Sequence, residues 1–187
     1  MKEEIWKHYS YLLSIDPSLK STGWVLFCNE TKSMIDFGVI KTEPENYSYE
    51  EDRLIYISNT LMDTTNNILK IDMVIEGLAF GAKNAKKDEI DGLHWWLRIC
   101  FRLYQPGLIG VIPVEEWRGN FSTKDEKKAA KARWKKDPLK KMMVEKLPKY
   151  IDKKFRKYIK ENKYSDESIY DLTDAYFLGL YRLSLNE

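Results

Sequence analysis

Cysteine is close to missing from this chain. Cys28 and Cys100, two in 187 residues, cannot build a disulfide framework and lack the spacing of a zinc site, so a reducing, intracellular setting is expected. Both are read as small core residues. Histidine is equally scarce: His8 and His94 stand isolated, with no Ser or Cys nucleophile arrangement beside either, which argues against a nucleophile–base pair. Long apolar runs are also lacking. The longest uncharged apolar stretch, 107–114, is far short of the roughly 20 residues a membrane span needs. The opening MKEEIWKHYSY has acidic residues and no apolar h-region, so no secretory signal is expected. No internal repeat is visible. What is present is ordinary for a globular protein, with 43% hydrophobic and 32% charged residues, which excludes a disordered tail. The length suits about one domain and buries a full core without staples.

The net charge of +2 hides a strong asymmetry. Residues 124–163 carry 17 Lys and Arg against 6 Asp and Glu, a local balance of +11, and the rest of the chain sums to −9. A basic block beside an acidic body points to a polyanionic partner, nucleic acid first. The ordinary alternative is a solvated, lysine-rich helical face.

Three closely spaced apolar runs, 11–15, 24–27 and 34–40, separated by Asp16-Pro17-Ser18 and Cys28-Asn29-Glu30-Thr31, predict an antiparallel meander. Leu54, Ile55, Ile57, Leu61, Met62, Ile68 and Leu69 recur at helical spacing and predict a helix over about 50–69. The run 71–75, ending at Glu76, and the run 108–114 read as buried parallel strands. Between them, Ile90, Leu93, Trp96, Leu97, Cys100, Phe101 and Tyr104 form a wide apolar stripe on a helix over 88–104. Beyond Trp117, which is read as packing with its indole N–H capping a loop, the chain is lysine-rich and helical, broken at Pro138 and Pro148, before a last helix over 170–185. The sum is a single α/β domain with a mixed sheet, a three-stranded antiparallel meander plus parallel strands flanked by helices.

Four carboxylates stand out. Asp16 directly follows the first strand, Glu76 ends a buried strand, and Asp171 and Asp174 lie three apart at the start of an apolar helix, where both present on one face. Each has a plain structural explanation: Asp16 before Pro17 starts a turn, Glu76 marks a strand's wet end, Asp171 caps a helix. Together they argue differently. Strand ends of a mixed sheet converge on one edge, where α/β sites form. Carboxylates gathered there raise one another's pKa unless a cation compensates. An all-oxygen set selects hard cations, Mg²⁺ or Mn²⁺. Two such ions about 3.5–4 Å apart would serve phosphodiester hydrolysis, with the basic block holding the polyanion across them.

SIDPSLKSTGWVLF (14–27) resembles the first strand and turn of RuvC-type Holliday junction resolvases, IEGLAFGAKNAK (75–86) resembles their second motif, and DLTDAYFLGLY (171–181) their final D-x-x-D-A helix. The three occur in the family's order. The resemblance implies an RNase H-like fold, a homodimer, and divalent-metal cleavage of branched DNA, with paired nicks across a four-way junction in DNA recombination and repair. It places catalysis and metal binding on Asp16, Glu76, Asp171 and Asp174, with two Mg²⁺ or Mn²⁺ ions. It gives Phe80 a stacking role at the junction centre and sets Lys83 and Lys86 against phosphates. Lys124, Arg133, Lys140 and Lys141, in the basic stretch of about 119–163 read as a helical insertion, are its further DNA contacts. It assigns the helix bearing Trp95, Trp96 and Phe101 to the dimer. GLAFGAKN and IPVEEWRG fit bacteriophage-type members best, implying the cytoplasm of a bacterial or phage-infected cell. Two departures are plain: Ser18 replaces the usual Gly of the first turn, and the spacing from Glu76 to Phe80 is one residue longer.

Other readings share these residues. The same fold could serve a less selective nuclease on flaps, replication forks or RNA–DNA hybrids, or a junction-binding protein without catalysis. The actin-like ATPases also open on a similar strand and turn, but they need further Gly-rich phosphate loops and about twice this length.

Overall fold

The computed structural model describes residues 11–65, 68, 70–78, 87–151, 153–161 and 166–185. Strands β1 (Tyr11–Asp16), β2 (Ser21–Cys28) and β3 (Met34–Lys41) form the expected antiparallel meander. Helix α1 (Glu50–Thr65) leads to β4 (Ile71–Glu76), which pairs parallel with β1. Helix α2 (Lys87–Tyr104) then crosses to β5 (Ile109–Ile112), parallel to β4. The sheet order is β3-β2-β1-β4-β5. Among the described residues five helices follow: α3 (Val114–Phe121), α4 (Lys124–Arg133), α5 (Pro138–Lys146), α6 (Lys153–Glu161) and α7 (Asp166–Ser184), with a 3₁₀ turn at Leu147–Lys149.

The period-two alternation of the strands divides the interior into two cores. Leu13, Ile15, Met73 and Ile75 share one cluster with Ile57 and Leu61 of α1 and Leu93 and Phe101 of α2. Leu12, Val25, Phe27 and Val74 face the opposite way, into a cluster with Trp117, Met143, Phe155 and the apolar side of α7. The even-numbered positions of β1 and β4 therefore face α7, and Asp16 and Glu76 are the last of each series.

Three boundaries differ from the sequence reading, each for a local reason. The strand expected over 108–114 is four residues long, because Pro113 has no N–H for the ladder and instead starts α3, accepting from the amide of Glu116 at 3.1 Å. Helix α1 ends at Thr65, where the hydroxyls of Thr64 and Thr65 bond back to Leu61 and Met62. The last helix begins at Asp166 rather than near 170, so Asp171 lies past its first turn and is not its cap. Cys100 is buried as expected, whereas Cys28 is only half-buried, at the outer end of β2.

The basic stretch is more than a solvated attachment. Ala130, Met142, Met143, Leu147, Ile151 and Phe155 all point into the α7-side core, while Lys124, Lys131, Arg133, Lys135 and Lys136 are exposed. No helix among the described residues is long and apolar enough to cross a membrane.

Candidate active site

The site is assembled where β1 and β4 end. Ile15 and Ile75 are partners in the parallel register, so Asp16 and Glu76 leave the sheet side by side. The turn after Asp16 is closed by one hydroxyl: Thr22 Oγ1 donates to Ser18 O at 2.6 Å and accepts from Ser18 N at 3.3 Å. Arg53 of α1 braces the same turn, donating from Nη2 to Leu19 O at 2.9 Å and from Nε to Thr42 Oγ1 at 3.3 Å, with Glu50 at 2.6 Å as its ion partner.

Helix α7 reaches the sheet because two glycines let it. A Cβ on Gly23, the partner of Asp16 across β1–β2, would fall 2.3 Å from the Asp171 carbonyl. One on Gly179 would meet Phe27 at 2.3 Å and Ser14 Cβ at 3.0 Å. Ser14 Oγ fixes the contact by donating to Ala175 O at 2.7 Å. Asp171 and Asp174 are thereby lowered onto Asp16 and Glu76, and all but the half-buried Glu76 are buried.

The electrostatics report the crowding. Burial, then the neighbouring Glu76, with lesser pushes from Asp174 and Asp171, raise the Asp16 pKa well above the usual carboxylate range against the pull of Lys140. Burial and Asp174 push Glu76 up to about 7, against Arg118, Lys140 and the Trp117 N–H. Asp171 is raised by burial and held back chiefly by Lys140.

Two cations stand among these carboxylates. Lys140 Nζ lies 3.0 Å from Asp171 Oδ1 and 3.9 Å from Asp174 Oδ2, and Arg118 donates from Nη2 to Asp174 Oδ2. Burial opposes the charge on both, yet the surrounding acids overcome it and raise each pKa. Trp117 Nε1 donates to Glu76 Oε2 at 3.0 Å, and the Arg118 guanidinium sits 4.8 Å over the same indole. Trp117 is thus packed as expected, but its N–H serves Glu76 and caps no loop. Neither Trp117 nor Arg118 emerged from sequence as a site residue. Their contacts span 41 and 56 residues, and no local pattern announces them.

Of the residues proposed for DNA contact, Lys140 belongs to the carboxylate cluster, Lys141 lies half-buried one residue on, and Lys124 is exposed in the first turn of α4. Arg133 pairs with Glu145 at 3.1 Å. Phe80, Lys83 and Lys86 lie outside the described residues. His94, buried in α2, is held toward its neutral form by burial and Arg98.

The donor set suits a hard divalent cation: four carboxylates converge, and Asp174 Oδ1 is buried with no hydrogen-bond partner among the described residues. As the side chains stand, no three His, Cys, Asp or Glu among the described residues are spaced to hold a metal ion. Arg118 and Lys140 lie against the oxygens that would do so.

No protein-family model and no curated protein sequence matches the chain. Solved structures do. Thermus thermophilus RuvC in complex with a Holliday junction substrate matches with a TM-score of 0.62 at 10% identity, over 95% of this chain and 96% of that one. A second T. thermophilus RuvC structure matches at 0.57 with 11% identity, over 94% and 96%. The yeast mitochondrial Holliday junction resolvase Ydc2 matches at 0.58 with 16% identity, over 94% of this chain and 79% of its own. The mixed five-stranded sheet and its flanking helices are therefore a RuvC/RNase H-like fold.

Proposed function

We propose that this protein is a structure-selective DNA endonuclease that resolves four-way junctions by divalent-metal-dependent phosphodiester hydrolysis. The observation that carries the reading is the convergence of Asp16, Glu76, Asp171 and Asp174 on one sheet edge, in a fold that matches two junction resolvases over nearly its whole length. Those four residues would hold Mg²⁺ or Mn²⁺, which when bound activates water and stabilises the leaving oxygen. Trp117 orients the Glu76 carboxylate, and Arg118 and Lys140 supply positive charge where a phosphate would approach. The exposed lysines of α4, together with Lys141, extend that charge outward and make binding salt-dependent.

A homodimer supports paired nicking. Trp95, Ile99 and Leu103, at successive i, i+4 positions on α2, are 57%, 48% and 74% exposed, an apolar stripe left uncovered on a single chain. Such a patch fits a self-complementary interface. Sedimentation of the wild type as a dimer, and of Trp95→Glu/Leu103→Glu as a monomer that no longer makes paired cuts, is the expected result.

The reading is tested by cleavage of a synthetic four-way junction with Mg²⁺, Mn²⁺ or EDTA, beside linear duplex and flap controls. Symmetric, metal-dependent nicks confined to the junction, and their loss in Asp16→Asn, are expected. Equal cutting of the flap would remove the junction label, and binding without any cutting would leave a junction-binding protein.

A further inference from the structure

The Arg118–Asp174 contact is lopsided. A guanidinium and a carboxylate frequently meet as two parallel hydrogen bonds, yet here a single bond joins Nη2 to Oδ2. The other half of each group is left over: Asp174 Oδ1 and Arg118 Nε are both buried without a hydrogen-bond partner among the described residues. Asp174 is 1% exposed and the Arg118 side chain 13%, so water does not readily compensate either. Leaving such groups unpaired is costly, which marks them as awaiting other partners. The two leftovers ask for opposite things. Oδ1 needs a cation, and Nε needs an oxygen acceptor.

Lys140 shows the same provisional character. Its ammonium bridges Asp171 and Asp174 from one side, with a third of its side chain open to solvent. It enters from the first turn of α5, at the edge of the basic surface where a nucleic-acid backbone would lie. A flexible four-carbon stem lets that charge swing without moving the helix.

We propose that Arg118 and Lys140 are exchangeable counter-cations: without DNA they neutralise Asp174 and Asp171, and when a phosphodiester arrives they turn to its oxygens and release these carboxylates to a divalent ion. This rests on the nuclease reading and adds an order of assembly to it. The DNA-free protein binds metal weakly, because the ion must displace two resident charges. Phosphate and metal then assist each other's binding, and the coupling is reciprocal. A metal-charged centre is thus withheld until a substrate backbone is in place.

The test uses the full chain and Ca²⁺ as the probe, followed by calorimetry. Arg118→Gln and Lys140→Gln, free of DNA, are expected to bind Ca²⁺ about tenfold more tightly than wild type, within the usual range of such couplings. In EDTA both variants melt below wild type, and saturating Ca²⁺ closes the gap. Junction affinity measured with and without Ca²⁺ at constant ionic strength tightens more for wild type than for Lys140→Gln. Should Arg118→Gln fail to fold, Lys140→Gln carries the same comparison from a partly exposed position. Equal Ca²⁺ affinity in wild type and variants, with binding still abolished by Asp174→Asn, would overturn the exchange and leave the nuclease reading intact. Ca²⁺ binding that ignores Asp174→Asn would remove the metal centre itself, and both readings with it.

Discussion

Gly23→Ala adds one methyl group at the place where β2 and α7 are in backbone contact. The new Cβ would lie 2.3 Å from both the carbonyl carbon and oxygen of Asp171 and 2.7 Å from the amide of Leu172. Ordinary contact begins near 3.4 Å, so α7 must retreat by about 1.1 Å. The obstacle is main chain, and no rotamer change relieves it. Overpacking of this kind costs about 1–3 kcal/mol. The functional cost is larger, because the retreat carries Asp171 and Asp174 away from Asp16 and Glu76. A misplacement of about 1 Å in reacting groups costs on the order of 100-fold in rate. Urea unfolding gives the first quantity, and single-turnover cleavage of a four-way junction gives the second. Gly92→Ala is the matched control: the same methyl on α2 meets nothing within 4 Å, and replacing a helical glycine there is expected to stabilise by about 0.5–1 kcal/mol. A Gly23→Ala protein with wild-type midpoint and rate, or one that shifts in the same direction as Gly92→Ala, would refute the packing argument.

Other perturbations follow from named contacts. Asp72, buried on β4, has its pKa pushed up to about 6 by burial, against the amide of Leu108 at 2.8 Å and the charge of Arg182. The folded state holds this proton more tightly than the unfolded chain, so the contribution of Asp72 to stability is greatest below about pH 4, falls as pH rises from there to about 6, and is flat above. Asp72→Asn keeps the acceptor for Leu108 and, with the shift discounted for solvent screening, should gain about 1–2 kcal/mol over wild type at pH 7 and little at pH 4; an equal difference between the two proteins at pH 4 and pH 8 would contradict this. Trp117→Phe removes the N–H that holds Glu76 and should slow cleavage about 10–100-fold, while junction binding in EDTA stays unchanged in a mobility-shift assay. Arg53→Met takes one of two donors from the buried Leu19 carbonyl, which keeps the Thr42 hydroxyl, and should cost about 0.5–1.5 kcal/mol, read from the shift in thermal midpoint.

The parts of the fold that announce themselves in sequence are those fixed by short-range pattern. The apolar runs around Ile15 and Ile75 mark β1 and β4, and a carboxylate ending such a run is visible on inspection. Asp171 was legible as a site candidate, but not its depth in α7. The first turn, beginning at Asp166, is polar, and the apolar period starts only at Ile169 and Tyr170. Arg118 illustrates the other limit. It is one of many basic residues, and only the tertiary approach of α3 to α7 separates it from them. Lys140 could be suspected from charge and position, yet its partner is a carboxylate 31 residues away, and that depends on how α5 leans on α7.

The basic segment follows a division of labour between its two sides. Its apolar residues close the face of the sheet that carries Asp16 and Glu76, and Lys124, Lys128, Lys131, Lys135 and Lys136 point outward, while Lys140 turns in to the carboxylates. Affinity and scaffold are thus written on the same helices in separate alphabets. Selection, or an engineer, can rewrite the outward letters one at a time and retune grip on a polyanion without disturbing the interior. The segment as a whole cannot be swapped or cut away as a module, because its loss would strip one wall from the chamber in which the carboxylates meet.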